Sequence, residues 1–331
     1  MNQAEAKFDS MKAAADFLGN GAIEVNMYET EIADMVRRES VFLDRVEAPP
    51  ATGAPHRYFE QTGIATGSFT TPSSISPSPS SPTRVERSAA LKAITAQSNF
   101  SLFDVQVTQQ QGRFAYVEAK DVADISSACA VTAASAVWNG TDTSLTTPTT
   151  NQYMGLLRQI TNQSQIAIGA SIIDGLKAKV ASIVSNATYK VRPTAIYVNP
   201  LLGDYIDREA KAGSIKLAEV VVAGVTVSAL ETQAGRLPLI SEAYLPAATD
   251  NSYGFVAPGS GNSNYFAVIV TEPWIEMPYI NPNGGKMPQL FQLGLLSGLQ
   301  KQFVAVWFNT VIAKGPSYAH AVVAVTRPTT S

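Results

Sequence analysis

Residues that could support acid–base or metal chemistry are scarce in this chain. Two histidines occur, His56 in the polar segment PHRY and His320 in AHAVVAV, and neither has a neighbour at metal-ligand spacing. We therefore predict structural or solvent-exposed roles for both instead of catalytic ones. The single cysteine, Cys129, cannot form an internal disulfide, and its surroundings, SSACAVTAA, offer no metal-ligand spacing. It is predicted to be a small core residue.

Motifs for nucleotide binding and hydrolysis are also missing. The segment GSGNSN, residues 259–264, begins like a dinucleotide-binding loop, but Asn264 stands where the third glycine is needed and no strand–loop–helix context surrounds it. A flexible loop is predicted there. Neither a G-x-S-x-G elbow nor a phosphate loop with G-K-[ST] occurs. The carboxylates of LGDYIDREA could face one another across a helical turn, although an ordinary solvated helix face is the better interpretation. We expect no cofactor, no metal site and no enzymatic activity.

The composition indicates an exterior with few charges. Charged residues make up 15% of the 331 residues, where about 25% is typical, and neutral polar residues are dense at 61–83, 141–165 and 249–264. Such a surface suits later burial, because desolvating a hydroxyl costs less than desolvating an unpaired charge. A low-charge monomer is the alternative. The net charge of −3 and the scattered Lys and Arg residues disfavour tight nucleic-acid binding.

Targeting and membrane signals are not found. The N-terminus carries acidic residues early, and no run of 18 apolar residues occurs, so we expect a soluble protein made in a cytoplasm. The nearest candidate for a span, FVAVWFNTVIA at 303–313, is better interpreted as a buried strand.

The first part of the chain predicts an arm followed by extended structure. Residues 1–26 are weakly helical with a hinge at 19–21, and an amphipathic helix from Met27 ends before Pro49. RYFEQTGIATGSFTT and TRVERSAALKAITAQSNFSLFDVQVT are predicted as two long extended segments, although AALKAIT could equally be a helical turn. In the second segment, Phe103, Val105 and Val107 alternate with polar residues. Between the two segments, the prolines of TTPSSISPSPSSPT exclude a helix and a central strand.

The rest of the chain predicts three helices and then strands. A helix over 118–138 presents small residues, and Asn139–Gly140 is predicted to provide a left-handed stop. A second helix over 168–186 has one apolar stripe. After a short strand, AIYV, Asn199 is placed to cap a third helix that closes near Gly213. From about Val220 the pattern is that of β-structure, so the class is α+β.

Taken in order, these parts resemble a known family. The similarity lies in WNGTDTSL, in MGLLRQI, in IIDGLKAKVASIVSNATYKVRPTAIYVNPLLGDYI, in ETQAGRLPLISEAYLP and in FVAVWFNTVIAKGPSYAHAVVAV. In pattern and order they resemble the major capsid protein of tailed double-stranded DNA bacteriophages, which has the Hong Kong 97-type capsid fold. The resemblance covers nearly the whole chain.

The resemblance implies a domain plan and two sets of contact residues. The plan has an N-terminal arm at 1–48, an extended β-hairpin loop at 49–111, a peripheral domain with a spine helix at 112–190, an axial domain at 191–285 and peripheral return strands at 286–331. The Ser/Pro stretch then belongs to the extended loop and is not a domain linker. Contacts between subunits are expected at Arg57, Tyr58, Phe59, Phe69, Arg84 and Arg87, and packing of the spine helix at Val122, Ile125, Cys129 and Ala136.

The resemblance also implies a function. Copies would form hexamers and pentamers that close into an icosahedral shell, the virion capsid, around packaged DNA that is bound without sequence specificity. Assembly would take place in the host cytoplasm with a separate scaffolding protein, a portal and possibly a cement protein, and without a membrane. Covalent cross-links through a loop lysine are not expected, because residues 57–83 contain no Lys. The alternatives are an encapsulin-like compartment shell and a β-rich surface or tail structural protein.

Overall fold

The structure is a computed structural model that describes residues 40–73, 75, 79–110, 114–213, 215, 217–222, 224–282, 286–296 and 300–329. The predicted arm at 1–26, its hinge and most of the helix predicted from Met27 lie outside the described residues. Ser40 has an extended backbone and begins a short helix of its own, α1 (Val41–Arg45), so the predicted continuous helix is interrupted at Ser40, although α1 ends before Pro49 as predicted.

Helices and strands both contribute, as an α+β class requires. The further helices are α2 (Leu102–Gln110), α3 (Phe114–Asn139), α4 (Leu156–Gln159), α5 (Ile172–Val184) and α6 (Pro200–Ala212). The first strands are β1 (His56–Gly63), β2 (Thr83–Ala89), β3 (Lys92–Ser101), β4 (Gln163–Ile166), β5 (Ala195–Val198), β6 (Ala218–Val222), β7 (Val225–Thr232) and β8 (Gly235–Ser241). The later ones are β9 (Ala247–Ala248), β10 (Asn262–Val270), β11 (Ile275–Glu276), β12 (Tyr279–Ile280), β13 (Gln289–Leu296), β14 (Gln300–Asn309), β15 (Ile312–Ala313) and β16 (Ala321–Pro328).

A central sheet of eight strands organises much of the described chain. Its order is β4-β16-β10-β5-β8-β7-β6, and β9 also pairs with β10. In β10, Phe266 and Val268 point into one core while Ala267 and Ile269 point into another. Its middle strands are apolar on both sides because both faces of the sheet are covered.

Helices α5 and α6 cover one face of the central sheet. The stripe predicted for α5 is buried there, including Ile173, Leu176 and Val180. Asn199 caps α6 as predicted, since its side chain accepts a hydrogen bond from the amide of Leu201 at 3.0 Å. Glu209 on α6 in turn accepts hydrogen bonds from the amides of Ile172 and Ile173 at the start of α5. The two helices are thus joined by a side chain as well as by packing.

The other face of the central sheet packs against α1, the end of α3, and α4. Phe42, Trp138 and Tyr197 form an aromatic cluster there, with ring centroids 4.6 to 5.7 Å apart. Arg45 fixes α1 further through two hydrogen bonds to Glu272, at 2.6 and 2.7 Å. This bidentate geometry is the strong form of an Arg–carboxylate pair.

A second sheet packs on α3. Strand β14 pairs with β3 on one side and with β12 and β13 on the other, all antiparallel. One face of this sheet contributes Phe303 and Ala305 to a small core with Ile125 and Cys129 of α3. Cys129 is therefore the core residue that the sequence predicted.

The segment 102–110 differs from its prediction. Alternation of Phe103, Val105 and Val107 predicted a strand, but the residues form the helix α2. The reason lies in the partner strand. Ser101, the last residue of β3, pairs with Gln300, the first residue of β14, and Gln300 also pairs with Leu296 of β13, so within the described residues the β3–β14 ladder ends there. The alternative of a helical turn in AALKAIT is also wrong, since β3 begins at Lys92.

Gly140 also differs from its prediction. It follows α3, but it does not adopt the positive φ of a left-handed stop. Instead, a Cβ on Gly140 would lie closer than 3.0 Å to the carbonyl oxygens of Tyr153 and Ala136, and one on Gly155 would overlap the carbonyl of Trp138. Gly155 also donates a hydrogen bond to Gly140 O at 3.2 Å. Both glycines are needed for close approach of two backbones.

The division into peripheral and axial domains remains a prediction. The central sheet draws strands from both predicted segments, since β4 and β16 come from the peripheral one and β5 to β10 from the axial one.

The two-glycine contact leads to a stability prediction. Gly140→Ala should lower the free energy of unfolding by about 3 kcal/mol, because its methyl group would overlap two carbonyl oxygens. The matched control is Gly67→Ala, where nothing lies within 4 Å of the added Cβ, and a change within about 0.5 kcal/mol is expected. Urea unfolding of free subunits measures both. Equal stabilities of the two variants would show that the close contact between Gly140 and Gly155 tolerates a side chain.

Candidate intersubunit surface

The antiparallel pair of β1 and β2 forms a hairpin with two different faces. His56, Tyr58 and Glu60 alternate along β1 and are buried or half-buried, whereas Arg57 and Phe59 between them are exposed. Residues directly opposite one another share a face, so Arg87, opposite Tyr58, lies on the inner side, and Glu86, opposite Phe59, lies on the outer side. The hairpin therefore has an inner face toward its own chain and an outer face toward solvent.

Polar contacts hold the inner face. The Glu60 carboxylate accepts a hydrogen bond from the amide of Gly315 at 3.2 Å and forms an ion pair with Arg87 at 3.3 Å. Lys314 lies 5.7 Å from the ring centroid of Tyr58 and also pairs with Glu276. Burial, followed by the nearby Glu60 charge, raises the pKa of Tyr58 to about 12, so its hydroxyl stays protonated at neutral pH.

Aromatic residues extend this base. Tyr189 and Tyr318 stack with ring centroids 3.6 Å apart, and Trp274 meets Tyr318 edge-on at 6.0 Å. The Tyr189 hydroxyl donates to the carbonyl of Thr62, near the end of β1, at 3.2 Å. The base of the hairpin is thus anchored along the whole of β1.

Beyond this base the hairpin exposes apolar side chains. Phe59 on the outer face is 69% exposed, and Ile64, Phe69 and Ile75 in the connecting loop are more exposed still. All residues of the loop segment 64–73 are exposed, and none is charged. A hydrogen bond from the amide of Thr66 to Ser80 Oγ, at 2.9 Å, links the two sides of the loop. Solvent-exposed apolar groups of this size indicate a surface that gains free energy when a partner covers it.

The second sheet also has an uncovered face, which the sequence interpretation missed. It lies opposite α3, and we call it the open face. Register and alternation assign to it Ala93, Thr95, Gln97, Asn99, Ile280, Gln289, Phe291, Leu293, Gln302, Val304, Val306 and Phe308. None of these residues is charged, and Phe291 and Phe308 are 47% and 40% exposed. The uncharged runs 93–100 and 287–300 were the signal that could have revealed it.

Comparisons with known proteins identify the fold but no close relative. No protein-family model matches the chain, and no curated protein matches it either. Among solved structures, the head structure of Helicobacter pylori bacteriophage KHP40 aligns with a TM-score of 0.65 at 8% identity, over 92% of this chain and 94% of that chain. A structure from Gordonia phage Cozz aligns at 0.62 and 13% identity, over 92% of both chains. The holo-SrpI encapsulin complex from Synechococcus elongatus PCC 7942 aligns at 0.54 and 14% identity, over 94% of both.

The chain has the Hong Kong 97-type capsid fold. The resemblance predicted from the sequence is therefore confirmed at the level of the fold. The antiparallel β1–β2 pair lies within the segment 49–111 predicted as the extended loop, and α3 lies within the segment 112–190 predicted to contain the spine helix; both assignments remain predictions.

The six predicted contact residues lie on three parts of the hairpin: its outer face, its inner face and its loop. Arg57, Phe59 and Arg84 lie on the outer face of the hairpin, where Arg57 pairs with Glu86 at 3.1 Å. Tyr58 and Arg87 lie on the inner face and contact their own chain. Phe69 lies in the exposed loop. Their contacts with another subunit remain a prediction.

The four predicted spine residues also separate into two groups. Val122, Ile125 and Cys129 pack on the second sheet, whereas Ala136 packs against the core beneath the central sheet. The helix α3 therefore contributes to the cores of both sheets.

Lys92, the first lysine after the hairpin loop, is held in a buried ion pair and is not exposed for cross-linking. Its side chain is 9% exposed and pairs at 2.7 Å with Asp142, which is fully buried. Burial alone would raise the pKa of Asp142, but the Lys92 ammonium and hydrogen bonds from Thr149 outweigh it and hold that pKa well below its usual range. This ion pair joins β3 to the loop that follows α3.

The residues that the sequence analysis considered for catalysis or ligand binding make contacts within the fold. His56 accepts the amide of Thr52 at 3.2 Å, and burial lowers its pKa. Asp204 forms an exposed i,i+4 pair with Arg208, while Glu209 caps α5. In GSGNSN, Gly259 and Gly261 adopt positive φ in a turn that leads directly into β10. Within the described ranges no group of three His, Cys, Asp or Glu could hold a metal ion, and no helix there is long and apolar enough to cross a bilayer.

His320 is fully buried and leads to a pH prediction. Its Nδ1 accepts the amide of Thr271 at 3.2 Å, and Nε2 lies 3.1 Å from the carbonyl of Lys314. Burial lowers its pKa from 6.5 to about 4, so between these values the unfolded chain binds a proton that the folded chain does not. Stability should therefore fall by about 3 kcal/mol as the pH drops through this window, from 6.5 to about 4.

The matched variant is His320→Gln, whose amide can accept and donate at similar positions but does not titrate. Urea unfolding of free subunits at several pH values should show a flatter pH dependence for this variant. The same slope in the variant and the parent would assign the acid sensitivity to other groups.

Proposed function

We propose that this protein is a major capsid protein whose copies form hexamers and pentamers and close into an icosahedral shell. The shell encloses packaged double-stranded DNA as part of a virion and assembles in the host cytoplasm. A separate scaffolding protein, a portal and possibly a cement protein take part, and the DNA is held without sequence-specific contacts. Its fold is that of capsid shell proteins, which are structural proteins and not enzymes.

The observation that carries this proposal is the β1–β2 hairpin, whose inner face is anchored to its own chain while its connecting loop is exposed to solvent. Burying one fully exposed phenylalanine such as Phe69 contributes about 2 kcal/mol, which is too little to hold two subunits together alone. In a closed shell each subunit makes the same contact with its neighbours, so weak contacts add up over many copies. The extended loop is therefore expected to lie on a neighbouring subunit.

A second candidate is an encapsulin-like compartment that holds protein cargo instead of DNA. It is supported by the alignment with the SrpI encapsulin complex over 94% of both chains. The third alternative from the sequence is a β-rich surface or tail structural protein, which would remain in small oligomers.

Electron microscopy of the protein expressed alone tests the proposal. Closed particles are expected, and small oligomers or single folded chains under all solvent conditions would contradict a shell function. Particles isolated from the natural source separate the two shell candidates. The capsid proposal expects double-stranded DNA inside, while a copurifying enzyme without nucleic acid would support the encapsulin alternative.

The shell is expected to lack covalent cross-links between subunits. Residues 57–83 contain no lysine, and Lys92 is held in its buried pair with Asp142. Particles boiled in denaturant should therefore run on a gel as one band near the chain mass of 35.2 kDa. A ladder of multiples of that mass would contradict this expectation.

A further inference from the structure

His56, the first residue of β1, is a buried titratable group at the base of the hairpin. It is 5% exposed, and its Nδ1 accepts a hydrogen bond from the amide of Thr52 at 3.2 Å. The Thr52 hydroxyl in turn accepts a hydrogen bond from the amide of Arg57 at 3.0 Å. The segment that leads into β1 is therefore closed through two side chains, and one of them belongs to the residue type that changes its charge near neutral pH.

The His56 ring lies among the contacts that fix the inner face of the hairpin. It stacks on Tyr58 with ring centroids 6.1 Å apart and an interplanar angle of 20°. The Lys314 ammonium lies 5.7 Å from the centroid of the same Tyr58 ring, and the next residue, Gly315, donates its amide to Glu60. A charge on His56 would thus arise next to the groups that hold the hairpin to its own chain.

Charged groups of the neighbouring elements surround this position. Glu276 of β11 and Lys314, which follows β15, both act on the charge of His56 and form an ion pair with each other. On the hairpin itself, Glu60 of β1 pairs with Arg87 of β2. These charges are matched in pairs when the imidazole is neutral. An imidazolium would add a positive charge near Lys314 and would compete with Lys314 for Glu276.

Protonation would change the hydrogen bonds as well as the charge. Both ring nitrogens of an imidazolium are donors, so Nδ1 could no longer accept the amide of Thr52. Burial lowers the pKa of His56 below 6.5 despite the opposing attraction of Glu276, and the Lys314 charge lowers that pKa further. When the base opens, the ring is hydrated and its pKa returns toward 6.5, so the open form takes up a proton more readily than the attached form. Opening should therefore become easier as the pH falls below 6.5.

We propose that His56 is a pH-sensitive switch for the attachment of the hairpin: the neutral ring holds the base of β1 against its own chain, and the protonated ring releases it. The switch goes beyond the shell function proposed above, because it belongs to a single subunit. The other histidine, His320, stays neutral in the range just below pH 6.5, since burial lowers its pKa to about 4.

Hydrogen exchange of free subunits tests the switch. The amides of Thr52, Arg57 and Gly315 form hydrogen bonds in the attached base, and the buried stripe of α5 is the internal reference. Exchange rates are divided by those of an unstructured chain at the same pH, which removes the intrinsic pH dependence. Between about pH 7.5 and about pH 5.5, the protection of the three amides should fall at least about threefold and by no more than about tenfold per pH unit, the limit for one proton. The amides of α5 should keep their protection.

His56→Asn separates the titration from the contact. The Asn amide oxygen can accept a hydrogen bond near the position of Nδ1 but does not titrate, so the three amides should be equally protected at both pH values. His320→Gln is the matched control and should respond like the parent. Circular dichroism of free subunits checks folding, and His56→Gln serves as a second variant that does not titrate if His56→Asn fails to fold.

Three results would overturn the inference. These are unchanged protection of the hairpin base in the parent, the same fall in His56→Asn as in the parent, and an equal loss of protection in α5, which would mean global unfolding. All measurements use free subunits, so these results leave the proposed shell function untouched. Failure of the parent to form particles would in turn contradict the shell function and leave the switch standing.

Discussion

The close contact between Gly140 and Gly155 is the constraint on which the arrangement of the two sheets depends. It brings the end of α3 against the segment that follows it, so that Trp138, Tyr153 and Leu156 enter the core beneath the central sheet. The earlier turns of α3 pack on the second sheet through Ile125 and Cys129. One helix thus belongs to two cores, and a side chain at the joint would have to move the helix relative to both.

The sequence predicted the parts of this fold whose information is local. The stripe of α5, the Asn199 cap and the α3 helix depend on residues within a few turns of one another, and all three were found. The predictions for residues 102–110 and for Gly140 were wrong because these conformations depend on distant partners. Those partners are the start of β14 and the backbone of Tyr153. The open face was missed for a similar reason, since its members come from four strands whose pairing no local pattern reveals.

The hairpin combines a base that is fixed to its own chain with a connecting loop whose apolar side chains are exposed. Glu60 and Tyr58 hold its inner face to the rest of the chain through a hydrogen bond from Gly315 and a cation–π contact with Lys314, and the Glu60–Arg87 ion pair joins its two strands. The entropy of ordering the base is thereby lost during folding of the subunit and not during association. Under the proposed shell function the loop is what remains for association, and its prolines restrict the backbone and would lower the entropy lost on docking.

The distribution of charge follows from the same logic. The ion pairs of Arg45 with Glu272, Lys92 with Asp142 and Lys314 with Glu276 lie where elements of one chain are fixed to one another. Each charge there meets its partner within the subunit, so its desolvation is compensated before any second copy arrives. The loop segment and the open face carry no charge, so under the proposed shell function they could be desolvated without a matching partner charge at each contact.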